Sequence, residues 1–78
     1  MSKNTISFEI TKKIGTIGIG NNGVEIQLNC VSWNGNAPRY EIRSWGRTVD
    51  GERIPYKGLA FSDDEIKQLR SLLDSLKL

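Results

Sequence analysis

SDDEIKQLRSLLDSLKL, residues 62–78, closes the chain, and its reading decides the fold. Ile66, Leu69, Leu72, Leu73 and Leu76 recur at the spacing of one helical face. Ser62 followed three residues later by Glu65 is a capping box: the serine oxygen accepts from the first turn, and the glutamate reaches back to the serine N–H. Asp63, Asp64 and Glu65 stand where the helix dipole favours negative charge, and Lys77 stands at the other end. This segment predicts one amphipathic helix, whose apolar stripe (Ile66, Leu69, Leu73, Leu76) holds it to a sheet or to a second copy.

Upstream the period is two. ISFEI sets Ile6, Phe8 and Ile10 on one side, and IGTIGIG resumes after Lys12 and Lys13. Residues 5–20 predict one long bent strand, or two short ones meeting near Lys12. NNG (21–23) is a hairpin turn signal. In VEIQLNCVSW, Val24, Ile26, Leu28 and Cys30 point one way, and Glu25, Gln27, Asn29, Val31 and Trp33 the other. NGNAP is a second turn. Residues 39–46 predict a further strand, RTVDGERIPY a polar loop turning at Asp50-Gly51, and 57–61 a short last strand. Strands followed by one helix make an α+β domain: an antiparallel sheet of four strands, five if the first is broken, with a helix on one face.

Seventy-eight residues are one small domain, 1–78, with a modest core that a partner chain would reinforce. Cys30 is the one cysteine and there is no histidine, which argues against an intrachain disulfide and ordinary zinc or copper sites. No apolar run is long enough to span a membrane, and MSKNTISF lacks the apolar core of a signal peptide. A soluble, cytoplasmic protein is expected. The net charge of +2 is unevenly spread: residues 1–61 hold eight Lys/Arg against five Asp/Glu, residues 62–78 three against four.

Three apparent motifs have plainer explanations. Gly18-Ile19-Gly20-Asn21-Asn22-Gly23 spells the dinucleotide fingerprint, but a strand follows it where a helix is required. Cys30 falls on an apolar face, as a small buried hydrophobe does. Asp63, Asp64 and Glu65 serve the helix start. No catalytic residue, metal or cofactor is expected.

PRYEIRSWGR, residues 38–47, carries the functional signal. Tyr40, Ile42 and Ser44 share one face; Arg39, Glu41, Arg43 and Trp45 share the other. If the helix covers the face bearing Ile26, Leu28, Tyr40 and Ile42, the opposite face presents Gln27, Asn29, Trp33, Arg39, Arg43 and Trp45. Flat aromatics among cations suit single-stranded nucleic acid, whose bases stack and whose phosphates meet the charges. Arg47, Arg53 and Lys57 add charge from the loop and last strand, and Gln27 and Asn29 add adaptable polar contacts. DNA and RNA both fit. A surface for another protein is the alternative, and a tryptophan packed on a loop with arginine laid across it is the plain structural one.

VSWNGNAPRYEIRSW, with KGLAFSDDEIKQL after the loop, resembles the bacterial YdbC-type members of the transcriptional positive-cofactor-four (PC-four) family. The carrying residues are Val31-Ser32-Trp33-Asn34, Tyr40-Glu41-Ile42-Arg43 with Trp45, and Lys57-Gly58 leading into Ser62; Phe8-Glu9-Ile10 fits the first strand. The resemblance implies a strongly curved antiparallel sheet with a C-terminal helix, and a homodimer with the helices in its interface. It also implies single-stranded DNA along the exposed sheet face, with little sequence preference, in transcription, replication or repair. Arg43 and Lys57 match family positions, and Arg53 falls where eukaryotic members carry lysine. Ser44-Trp45-Gly46 departs from the family's Tyr-Trp, placing the aromatic one position earlier. A cytoplasmic, nucleoid-associated setting and transcription or replication proteins as further partners follow from the same resemblance.

Overall fold

The structure is a computed structural model that describes residues 7–78, so the expected start of the first strand at residues 5 and 6, with Ile6, lies outside the described residues. Four antiparallel strands follow in sequence order: β1 (Phe8–Ile19), β2 (Glu25–Trp33), β3 (Arg39–Arg47) and β4 (Arg53–Phe61). Helix α1 (Asp63–Asp74) completes the domain. This is the α+β architecture read from the sequence.

β1 is continuous, and it bends where Lys12 interrupts the alternation. Its register against β2 slips between Ile10 and Lys12, Lys13 and Gly15, and Thr16 and Gly18. At each slip β1 carries one residue more than β2, which twists and bends the strand. Phe8, Ile10, Lys13, Thr16 and Ile19 pair with Trp33, Val31, Asn29, Gln27 and Glu25, and so share their face. β2 and β3 pair without a slip from Glu25–Trp45 to Val31–Arg39, so the alternation read for both strands holds.

The polar loop expected through Tyr56 is shorter than that. A turn closes at Thr48–Glu52, where Gly51 donates to the Thr48 carbonyl at 2.9 Å, and β4 begins at Arg53. Arg53, Ile54 and Pro55 pair with Arg47, Gly46 and Trp45. Pro55 hid this strand from a sequence reading; it is tolerated because β4 is an edge.

The sheet curves strongly. Trp45 pairs with Glu25, at the far end of β2 from Trp33, yet the two indole centroids are 6.4 Å apart. The face bearing both is therefore concave, and the core lies there: Val31 and Trp45 are its fully buried apolar side chains. The convex face bears Ile26, Leu28, Tyr40 and Ile42. Helix α1 starts with both capping-box bonds formed and lies over one part of this face. A cleft of about 610 Å³ between Leu28, Tyr40 and the helix residues Ile66, Leu69 and Leu73 separates the two. Ile66 and Leu69 are half-buried, whereas Leu73 and Leu76 are 53% and 52% exposed, and Leu59 and Ile26 are exposed as well. The helix covers less of the convex face than its stripe predicts. Among the described residues no helix is long and apolar enough to cross a membrane.

Candidate nucleic-acid interface

The concave face is built from alternate residues of β2 and β3, which pairing sets side by side: Gln27 opposite Arg43, Asn29 opposite Glu41, Val31 opposite Arg39. Curvature folds the two tryptophans over them. The Trp33 and Trp45 rings are parallel within 4°, and Phe8 packs on both at 5.3 and 5.2 Å. This aromatic roof leaves Asn29 2% and Glu41 1% exposed.

A buried carboxylate must be paired and hydrogen-bonded, and Glu41 is. Its Oε1 accepts from Trp33 Nε1 at 2.8 Å and from Arg43 Nη2 at 3.2 Å, and its Oε2 accepts from Arg43 Nε at 2.7 Å. Arg43 Nη1 donates to the Tyr56 carbonyl at 2.7 Å, and the guanidinium carbon lies 4.7 Å from the Trp33 ring centroid. The guanidinium crosses β4 at Gly58, where a Cβ would stand 2.6 Å from Arg43 Cζ. Glycine is needed there because no side chain fits beneath the arginine.

A second chain of bonds runs along β2. Asn29 Nδ2 donates to Gln27 Oε1 at 3.0 Å, and Gln27 Nε2 donates to Glu25 Oε1 at 2.8 Å. Arg53 Nη1 also donates to Gln27 Oε1, at 2.9 Å, with its guanidinium 5.3 Å from the Trp45 ring centroid. The Gln27 bond, opposed by desolvation and helped by Thr16 and by the charges of Arg47 and Arg53, holds the Glu25 carboxyl below its ordinary value.

This arrangement corrects the expected open face. Trp45 is 3% exposed, enclosed by Phe8, Trp33 and Arg53, and its buried Nε1 has no hydrogen-bond partner among the described residues. Gln27 and Asn29 are also buried, their amides joined to each other. Burial follows from the curvature, which a pattern of alternation does not reveal. Trp33 stays half-buried and lines a cleft of about 430 Å³ with Arg39, Arg43 and Asn36. Arg39, Arg47 and Lys57 are exposed and Arg53 is half-buried; Arg47 Nη1 donates to the Gly51 carbonyl at 2.9 Å. Two residues of this face escaped the sequence reading of the site. Phe8 completes the aromatic cluster, and Lys13, exposed, pairs with Asn29 after the first register slip. The broken alternation at Lys12-Lys13 was the available signal for Lys13.

Residues 21–72, two thirds of the chain, match the family model described as Transcriptional Coactivator p15 (PC4). The chain belongs to the PC4 family. The PC4 match takes in β2, β3, β4 and most of α1, and with them Trp33, Glu41, Arg43 and Gly58. A protein of Treponema pallidum (strain Nichols), described as uncharacterized, is 37% identical over 71 residues, or 91% of this chain and 80% of that one. Similarity to it extends ahead of the PC4 match into β1.

Proposed function

We propose that this PC4-family chain is a non-catalytic protein that binds single-stranded DNA along its concave face, as a homodimer, with little preference for sequence over the strand as a whole. The observation that carries the reading is the cleft in which a half-buried Trp33 stands beside Arg39 and Arg43. An accessible indole next to guanidinium groups offers one surface for a base and another for a phosphate. Arg47, Arg53, Lys57 and Lys13 extend the positive charge along the same sheet. Trp45, Gln27 and Asn29 brace the site from below, and Trp45 reaches a base only when Phe8 or Arg53 lifts. Its setting on this reading is the cytoplasm, at DNA opened for transcription, replication or repair, and the description of the family as a transcriptional coactivator supports the first of these.

The homodimer is supported by the convex side. Leu59, Leu72, Leu73 and Leu76 are about half exposed or more, and the cleft beneath α1 stands open. A second copy would bury this apolar surface, which is costly to leave in water.

Tryptophan emission titrated with single-stranded and duplex oligonucleotides of equal length tests the reading. Single strands bind more tightly, because only unpaired bases can stack on Trp33, and affinity falls steeply with salt as phosphate contacts require. Equal affinity for both forms at matched salt refutes stacking; binding that ignores salt points to a protein partner for this face.

A further inference from the structure

Arg43 is the arginine most firmly held on the concave face, and its bonds leave it an unusual donor. A guanidinium has about five N–H groups. Glu41 takes one from Nε and one from Nη2, and the Tyr56 carbonyl takes one from Nη1. One N–H on each terminal nitrogen is left. The charge is already matched: Glu41 lies 2.7 Å away and is itself 1% exposed, so a phosphate approaching Arg43 meets a neutral pair. Arg43 is therefore a poor phosphate cation and a well-oriented pair of donors. Arg39, exposed and in no ion pair among the described residues, lines the same cleft and is the better phosphate cation.

We propose that the cleft between Trp33, Arg39 and Arg43 takes one unpaired nucleobase that presents two adjacent acceptors. Arg43 donates to that edge, and Glu41 is the positioning residue that fixes and neutralises it. Guanine offers such a pair at O6 and N7, and cytosine at O2 and N3; adenine and thymine present no two acceptors side by side. A base held edge-on by Arg43 lies within stacking reach of Trp33, and its phosphate lies within reach of Arg39. The proposal rests on the reading of the concave face as a single-strand site, and adds a preference at one pocket to binding that is otherwise indifferent to sequence.

The test uses oligothymidine with one central residue replaced by guanine, cytosine or adenine, titrated against the full chain at several salt concentrations. Guanine and cytosine bind about five-fold or more tightly than adenine or thymine, the lower end for a paired donor contact. Arg43→Lys keeps the charge and loses the fork: the preference disappears. Arg39→Ala keeps the preference and flattens the log–log salt dependence by about 0.7, one phosphate contact on a single strand. Glu41→Gln frees the charge of Arg43, so the salt dependence steepens by a similar amount and the preference falls. Near-ultraviolet circular dichroism confirms that each variant is folded; should Glu41→Gln unfold, the two arginine variants carry the test. Single-strand binding without base preference, or a preference that survives Arg43→Lys, overturns the proposal and leaves the single-strand site standing. Failure to bind any single strand at low salt overturns both.

Discussion

Trp33 and Trp45, set at opposite ends of the β2–β3 ladder, stack parallel within 4° at a centroid distance of 6.4 Å. The sheet must curve strongly for this contact to form, and the residues trapped beneath it, Asn29 and Glu41, are among the most buried of the molecule. The same cluster therefore serves stability and the proposed binding, with the two duties divided between the indoles.

Alanine at each position separates those duties. Trp45 is buried, so Trp45→Ala lowers folding stability by about 3–5 kcal/mol, as for other large core truncations. Trp45→Phe costs less, because it also removes a buried N–H that has no partner among the described residues. Trp33→Ala weakens single-strand binding by about 1–3 kcal/mol. Urea denaturation and oligonucleotide titration on the same samples check both; a greater stability loss at Trp33 than at Trp45 contradicts the division.

Gly58→Ala forces Arg43 out of its seat, since the new Cβ would lie 2.6 Å from Arg43 Cζ and 2.9 Å from Arg43 Cβ. A destabilisation of about 1–3 kcal/mol is expected from overpacking. The Arg43 Nε–H resonance, shifted by its bond to Glu41 in the parent, moves towards the value of a solvated arginine.

Acid weakens the fold at two identified carboxylates. Glu25 is held below its ordinary value of 4.5 chiefly by the Gln27 bond, and Glu65 by the backbone and hydroxyl of Ser62. Each binds its proton less readily folded than unfolded, so its contribution is complete above 4.5 and is lost as pH falls through the lowered folded value. Ser62→Ala removes one partner of Glu65 and the cap together, costing about 1 kcal/mol. Thermal melts followed down the acid limb show a shallower fall in this variant than in the parent.

Leu73→Glu and Leu76→Glu separate assembly from folding. Both side chains are half exposed in the protomer, so a charge there is solvated when the chain stands alone and buried when two chains associate. Sedimentation is expected to show the parent as a dimer and both variants as folded monomers. A monomeric parent at micromolar concentration contradicts the homodimer.

The helix, its cap and the faces of β2 and β3 were legible because each rests on local periodicity or a short-range bond. Ser62 and Glu65 name their own partners, and an unslipped pairing preserves alternation from Glu25 to Val31 in β2 and from Arg39 to Trp45 in β3. β4 was half hidden by Pro55, which marks a break in most strands but is harmless at an edge. The burial of Trp45, Gln27 and Asn29 was not legible, because it depends on how far the sheet curves, a property summed over many residues. Arg43 and Glu41 were placed on the right face, but their bond to each other, and with it the cancelled charge, appears only once side chains are set in space.

The three register slips give β1 spare length. In an even strand the loss of one residue turns every later side chain to the opposite face. Thr11, Ile14 and Ile17 have no Cα partner on β2, so removing any one of them closes a slip and returns the rest of β1 to the same opposite numbers. β2 has no such reserve, and a deletion there exchanges Asn29 and Val31 for their neighbours. Across descendants of this chain, changes in length should therefore gather in β1, and the aromatic roof anchored at Phe8 should survive them.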